Sequence, residues 1–364
     1  MKFKKKKNYV GVLSSVFAIF IGLMVGLVVL LLCNPSQALP GFATILSGAF
    51  THGMRGVGQV FYYATPIILT GLSVGFAFKT GVFNIGTPGQ FIMGGFGAVY
   101  VGIMWDQLGH VHWAAALLAA VVMGALWGLV PGVLKAYFNV NVVISCIMMN
   151  YIGMYLVNWV VRSYKPLFNT LRNESKNVAA TAVIPKMGLD KVFPGSSVNG
   201  GIIIAILVVL LIYVILEKTI FGYELKAVGY NQDAGKYAGI NEKRNVVLSM
   251  MIAGAIAGLA GGLLYLAGTG KHIEIKDILA SEGFTGISVA LLGLSHPVGV
   301  LFAGLFIAYL TAGGFYLQLF EFSTEIIDII VAVIIYFSAF ALIVKTLLGK
   351  FKDKKAGKEG GNET

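Results

Sequence analysis

The sequence predicts an all-α, polytopic membrane protein with about 10 transmembrane or partly re-entrant helices. Three observations carry that expectation. Hydrophobic residues make up 57% of the 364 residues, and the mean hydropathy is +0.83. Charged residues make up only 12%, about half the ~25% of a soluble domain. The charge-free stretches reach the roughly 20 residues that a spanning helix needs and are spread along the whole chain. A soluble fold of this size has too much surface to hide so many apolar side chains, whereas a bilayer accepts them. The chain therefore reads as one membrane domain, residues 10–348.

The first stretch, residues 8–33, follows a basic start at Lys2 and Lys4 to Lys7. Cleaved leader cores are about 7–15 residues long. This run is longer and no A-x-A site follows it, so it reads as an uncleaved first span. The second stretch lies between Arg55 and Lys79, and the third, rich in glycine, between Lys79 and Asp106. The fourth covers 107–134, the fifth 136–161, the sixth about 200–216 and the seventh 245–270. Residues 283–320 are charge-free but broken at Ser295-His296-Pro297, which leaves a short apolar piece and a full span. The last segment covers 326–343.

Lys and Arg set the orientation. With the N-terminus inside and ten crossings, the inside holds about 18 of the 27 basic residues and about 7 of the 16 acidic ones. Both termini then face the cytoplasm: residues 1–9 as a basic N-terminus, and 349–364 as a basic tail whose polar composition predicts disorder. Residues 162–199 form an extracellular loop and 217–245 a helical, amphipathic cytoplasmic loop. The net charge of +11 is gathered on the side where anionic lipid attracts it, which points to membrane lipid as the partner and not to nucleic acid.

Several chemistries are missing from the sequence. None of the three Gly-Lys pairs (235–236, 270–271, 349–350) sits in a phosphate-binding GxxxxGKS/T pattern. HExxH and CxxC do not occur. His110 and His112 read as an interfacial loop in preference to a metal site, and Cys33 and Cys146 as small residues in apolar runs. No catalytic residue, metal or cofactor is expected. The centres of the spans carry almost no ionisable groups, with Asp328 near the start of the last one. Ion-coupled carriers usually keep such groups at depth, so energy must come from a partner or not be needed.

Two segments are interrupted. Residues 71–90 (GLSVGFAFKTGVFNIGTPGQ) break an apolar region with glycine and proline, and Asn84 and Gln90 are its strongest polar groups. Broken helices mark transport pathways, but glycine-rich runs also build helix interfaces; both readings stand. Asn84 suits either a pathway or a helix cap. Residues 283–304 repeat the pattern, and Gly71-Leu72-Ser73-Val74 is echoed by Gly286-Ile287-Ser288-Val289. The echo is a trace of an internal repeat or a chance likeness. In the cytoplasmic loop, Gly229, Ala234 and Gly239 permit close approach of another surface, with Glu224 among the flanking charges. Such a small-residue helix suits docking into a partner's groove, or is an ordinary solvated loop.

Taken together, these residues resemble the inner-membrane permease subunits of ATP-binding-cassette (ABC) importers, in the branch of ribose, branched-chain amino acid and nucleoside permeases. Phe83-Asn84-Ile85-Gly86 with Gly89-Gln90, and Asn150-Tyr151-Ile152, look like the nucleoside-type group. Gly229-Tyr230-Asn231 and Tyr237-Ala238-Gly239-Ile240-Asn241 are similar to the coupling loop. The likeness runs from about residue 35 to 348. Thr87-Pro88 departs from the small or acidic residue usual before the last Gly-Gln, and the proline stiffens that turn.

The resemblance implies an all-α permease that imports a small polar solute, most often a nucleoside, by alternating access. Riboflavin, a sugar or an amino acid as solute, and a stand-alone facilitator, are the alternatives. It implies an ABC ATPase subunit on the cytoplasmic side, a second and usually different permease subunit, and an extracellular solute-binding lipoprotein. Asn84, Gln90, Asn150, Tyr151 and Ser288 are the candidate solute-pathway residues. Glu224, Gly229, Asn231, Ala234, Gly239 and Ile240 are the candidates for coupling to the ATPase.

Overall fold

A computed structural model describes residues 9–323 and, beyond them, residues 325, 326, 328–330, 332, 333, 336 and 337. The expected tail (349–364), nearly all of the expected N-terminal segment (1–9) and much of the expected last span (326–343) lie outside the described residues. The described chain is almost entirely helical: α1 Tyr9–Cys33, α2 Ala38–Thr51, α3 Gly53–Lys79, α4 Thr87–Met104, α5 His112–Phe138, α6 Val142–Ser163, α7 Leu189–Val192, α8 Gly201–Lys218, α9 Ile220–Tyr230, α10 Gln232–Tyr237, α11 Glu242–Tyr265, α12 Ser281–Leu292 and α13 Pro297–Phe315. Among the described residues, six helical stretches are long and apolar enough to cross a membrane: Gly53–Lys79, Asp106–Phe138, Val142–Ser163, Gly201–Lys218, Glu242–Tyr265 and Pro297–Phe320.

Two compact units divide the chain. In the first, Met1–Gly48 with Gly313–Thr364, Gly41 packs on Phe322 and Leu317, and Gly48 on the backbone of Gly313. The helix α2 is absent from the sequence reading, which searched for runs of spanning length. Its 14 residues are too few to cross a bilayer at 1.5 Å per residue.

The second unit, Ala49–Ala312, is built around α3. Every residue of α3 from Ala64 to Ala77 is buried, so it is apolar all round, as a central helix must be. Glycines let α4, α5 and α11 approach backbone to backbone: a Cβ at Gly94, Gly124, Gly254 or Gly258 would meet the facing main chain. Association of helices in lipid relies on such contact, because apolar side chains gain nothing there from leaving water. Helix starts are fixed by side-chain caps: Asn141 accepts from Val143 N–H (2.8 Å), Thr219 from Gly222 N–H (3.0 Å) and Asn241 from Arg244 N–H (3.0 Å).

The two ends of α3 define the two ends of this unit. Near its start, Gly58 packs on Phe193 and Ser196 of the long loop between α6 and α8. At its close, the Lys79–Gly81 backbone packs on Gly229 of α9. The long loop carries a two-stranded antiparallel hairpin, β1 Phe168–Asn169 and β2 Glu174–Ser175. That hairpin is stitched to the α11–α12 connection: Ser175 N–H donates to Ile273 O (2.9 Å) and Ile275 N–H to Asn173 O (3.1 Å). His112 belongs to this end too. It is fully buried and bonded through Nδ1 to Thr181 Oγ1 (2.8 Å) and through Nε2 to Val101 O (2.9 Å), so it pins α5 to its surroundings.

Candidate functional site

The first interrupted segment forms a loop between two helices. After α3 ends at Lys79 the chain turns at Gly81 (φ +77°) and runs without helix through residues 82–86 to the start of α4. Irregular backbone within a membrane domain must have every polar group satisfied. Three buried amide side chains do this. Gly86 N–H donates to Asn84 Oδ1 (2.9 Å), and Asn84 Nδ2 donates to Gln90 Oε1 (3.0 Å). Gln90 Nε2 returns a bond to Asn84 Oδ1 (3.3 Å). From α6, Asn150 Oδ1 accepts from Gly89 N–H (2.9 Å), and its Nδ2 donates to Ile85 O (3.0 Å).

So the structure brings together Asn84, Gln90 and Asn150, three of the five candidate pathway residues. Asn84, Gln90 and Asn150 are each 0–1% exposed, and their bonds run to one another, to the main chain and, at Asn84 Oδ1, from the Cys146 thiol (3.8 Å). Thr87 is also fully buried, and its hydroxyl has no hydrogen-bond partner among the described residues. Tyr151 is exposed, whereas Ser288 is buried in α12 and bonds to none of the three amides. The two similar tetrapeptides meet: a Cβ on Gly71 would lie 2.5 Å from Val289 Cγ1, and one on Gly286 2.6 Å from Thr70 C.

The candidate coupling residues occupy α9, α10 and their flanks. Asn231 caps α10 by accepting from Ala234 N–H (3.1 Å). Asn231, Ala234 and Gly239 are exposed, Glu224 and Ile240 half-buried. Tyr230 and Tyr237 are 88% and 94% exposed. Gly229 differs from these. A Cβ there would sit 2.7 Å from Thr80 C and 2.8 Å from Gly81 N. It faces the α3–α4 connection and presses α9 onto the chain that leads into the amide loop. Next to this contact, the hydroxyls of Thr80 and Ser249 bond to each other.

Toward the other end of the unit lies a cavity of about 270 Å³, which the sequence did not reveal. This is just under the ~300–1,000 Å³ of small-molecule sites. Its apolar wall includes Ile92 of α4, Met154 of α6 and Leu264 of α11. Tyr265, whose ring packs on Phe91 (6.3 Å between centroids), and Asn158 add polar atoms. The mouth is charged by Lys271, Glu274 and Lys276, and Glu282 lies at the start of α12. Lys276 donates to Glu274 (2.8 Å), which holds that carboxyl below the usual carboxylate range. The cavity and the amide cluster share helices: Asn150, Met154 and Asn158 recur every four residues on α6, one face of a helix. The one sequence feature that could have pointed to it is Glu282, an acidic residue in the first turn of a short glycine-bearing helix.

Long apolar helices packed through glycine, with one polar loop closed by buried amides and a separate polar cavity, define a multi-pass membrane protein. The chain belongs to the family of the branched-chain amino acid transport system permease component, whose model matches residues 56–339. It is 37% identical over 351 residues to the guanosine ABC transporter permease protein NupP of Bacillus subtilis (strain 168), covering 96% of this chain and 99% of that one. It is 33% identical over 351 residues to the nucleoside ABC transporter permease protein NupB of Lactococcus lactis subsp. cremoris (strain MG1363), covering 95% of each. A third relative, the guanosine ABC transporter permease protein NupQ of B. subtilis, is 30% identical over 258 residues, covering 68% of this chain and 77% of that one. No solved structure gives a significant match. The chain is a multi-pass protein of the cell membrane.

Proposed function

We propose that this chain is one of two permease subunits of an ABC importer that carries nucleosides into the cell. The observation that supports this most is similarity along nearly the full length to NupP and NupB. The occurrence of both NupP and NupQ as guanosine permease proteins in one organism supports a second, homologous permease beside this one. ATP hydrolysis belongs to ATPase subunits on the cytoplasmic side, and a lipid-anchored binding protein delivers solute outside. The permease does no covalent chemistry.

In this reading the chain has about ten transmembrane or partly re-entrant helices, and both termini and residues 217–245 face the cytoplasm while 162–199 face outward. The ATPase docks on the exposed surface of α9 and α10, at Glu224, Asn231, Ala234, Gly239 and Ile240. Its closure moves α9, and Gly229 passes the motion to the Lys79–Gly81 backbone. The loop held by Asn84, Gln90 and Asn150, together with Tyr151 beside Asn150 on α6 and Ser288 on α12, borders the solute pathway.

Two measurements test this. Uptake by cells expressing the chain with its ATPase, second permease and binding protein is measured with guanosine, riboflavin and glucose. Guanosine uptake that stops when the ATPase is inactivated is the expected result; uptake of riboflavin or glucose alone would replace the solute, and uptake without the ATPase would replace the machine. In a Lys236→Cys variant, the new thiol should resist a membrane-impermeant maleimide in intact cells and react in inverted vesicles. Labelling from outside would overturn the orientation.

A further inference from the structure

The cavity beneath the stitched loops is lined by an acidic group, Glu282, at the start of α12. Gly286 of α12 packs on Thr70 of α3, Val289 on Gly71 and Ala290 on Gly75, so the two helices run parallel. Glu282 is one turn before Gly286 and therefore lies level with about the middle of α3, the span Gly53–Lys79. The next residue, Gly283, fixes this position, since a Cβ there would lie 2.5 Å from Pro88 Cα at the start of α4. No cation lies within ion-pair distance of Glu282 among the described residues. Its one hydrogen bond comes from Ser281 Oγ, at 3.3 Å. An ionisable residue inside a membrane domain, unpaired and facing a cavity, is retained for what passes through that cavity.

The rest of the cavity fits one class of solute. Its wall of Ile92, Met154 and Leu264 offers an apolar surface for the flat face of a base. Among the described residues the Tyr265 hydroxyl makes no hydrogen bond, and Asn158 uses only its Nδ2, which donates to Lys276 O (3.0 Å). A phenol hydroxyl and an amide oxygen are thus left for base edges. A carboxylate with both oxygens accepting matches the two adjacent hydroxyls of a ribose, and needs no cation to do so. By contrast, the amides of Asn84, Gln90 and Asn150 are already bonded.

We propose that this cavity is a solute-binding station for ribonucleosides within the permease, with Glu282 accepting from the 2′- and 3′-hydroxyls, Tyr265 and Asn158 meeting the base edge, and Ile92, Met154 and Leu264 packing on its face. The proposal rests on the nucleoside reading above and gives it a residue-level site. It also predicts a preference: a 2′-deoxyribonucleoside lacks one of the hydroxyls that Glu282 would bind. A site built to bond a hydroxyl discriminates strongly against a ligand without it.

The test uses the assembled transporter in cells, with radiolabelled guanosine and 2′-deoxyguanosine as probes, for the natural chain and for Glu282→Ala and Glu282→Gln. The binding protein is the same in all strains, so a change in the ratio of the two uptake rates reports on the permease. The natural chain should favour guanosine. In Glu282→Ala, guanosine uptake should fall about tenfold or more, the scale of a lost charge-assisted hydrogen bond, while 2′-deoxyguanosine uptake falls less and the ratio approaches one. Glu282→Gln should lie between. Unchanged ratios in both variants, or a natural chain that does not distinguish the two probes, overturn the station and leave nucleoside import standing. A natural complex that takes up neither probe overturns both. Should both variants fail to accumulate in the membrane while Asn158→Ala accumulates normally, Glu282 is structural and the assignment falls.

Discussion

The unit around α3 contains two polar regions on shared helices, and they differ in what their polar atoms do. At the α3–α4 break, the side chains of Asn84, Gln90 and Asn150 bond to one another and to the main chain within 2.9–3.3 Å. In the cavity one or two turns along α4 and α6, Tyr265, Asn158 and Glu282 keep atoms without protein partners. Amides in the first region close irregular backbone that lipid would otherwise penalise. Atoms in the second are open to whatever enters. The lesson is that polarity in a membrane domain marks a function only when it is unsatisfied.

The largest effect expected from this contrast is at Asn84. In Asn84→Ala the Gly86 N–H loses its acceptor and Gln90 its partner, both in fully buried surroundings. Each stranded group costs about 1–3 kcal/mol, so the variant should lose about 2–6 kcal/mol and accumulate poorly. The melting temperature of the detergent-purified chain reads this directly. A stable Asn84→Ala protein with altered solute preference would instead extend the solute site into the amide cluster. Next comes Gly229→Trp. Space for the indole exists only if α9 leaves the Lys79–Gly81 backbone, so uptake should drop more than tenfold, the level of a change that decouples a moving part. Chain in the membrane, measured by immunoblot, should stay near the natural level, because α9 is outside the spans. Normal uptake would remove Gly229 from the coupling route.

Much of this was legible beforehand, for physical reasons that differ by region. Spanning helices announce themselves by length and absence of charge, and α3, α5, α6, α8, α11 and α13 fall where the apolar stretches place them. The breaks at residues 80–86 and 293–296 were visible because glycine and proline interrupt a run. By contrast α2 was missed, since an apolar helix of 14 residues has no minimum-length signature. The cavity was invisible for another reason. Its lining comes from α4, α6, α11 and residues 271–282, which long-range contacts bring together, among them the pairing of Asn173 and Ser175 with Ile275 and Ile273. Glu282 was counted among the external charges. Its depth follows from α12 being 12 residues long and docked along the middle of α3, and no local pattern encodes that docking.

The smallest effect sharpens the contrast most. Thr87 begins α4 inside the amide cluster, fully buried, and its hydroxyl has no hydrogen-bond partner among the described residues. The backbone groups it could have capped are already taken: Gly89 N–H donates to Asn150 Oδ1 (2.9 Å) and Gln90 N–H to Gly86 O (3.0 Å). Valine has nearly the same shape and keeps the β-branch, so Thr87→Val removes an unsatisfied polar atom without opening a void. An unpaired buried hydroxyl costs about 1–3 kcal/mol on mutational scales, and part of that is recovered by the methyl group. Thr87→Val should therefore be as stable as the natural chain or up to about 1 kcal/mol more so, with unchanged guanosine uptake. A closed cluster requires that result, because nothing in it would use the hydroxyl. A loss of melting temperature, or of uptake at normal chain levels, would mean that Thr87 finds a partner during transport. The cluster would then open in the cycle, and the division between a structural polar region and a functional one would hold only for the resting state.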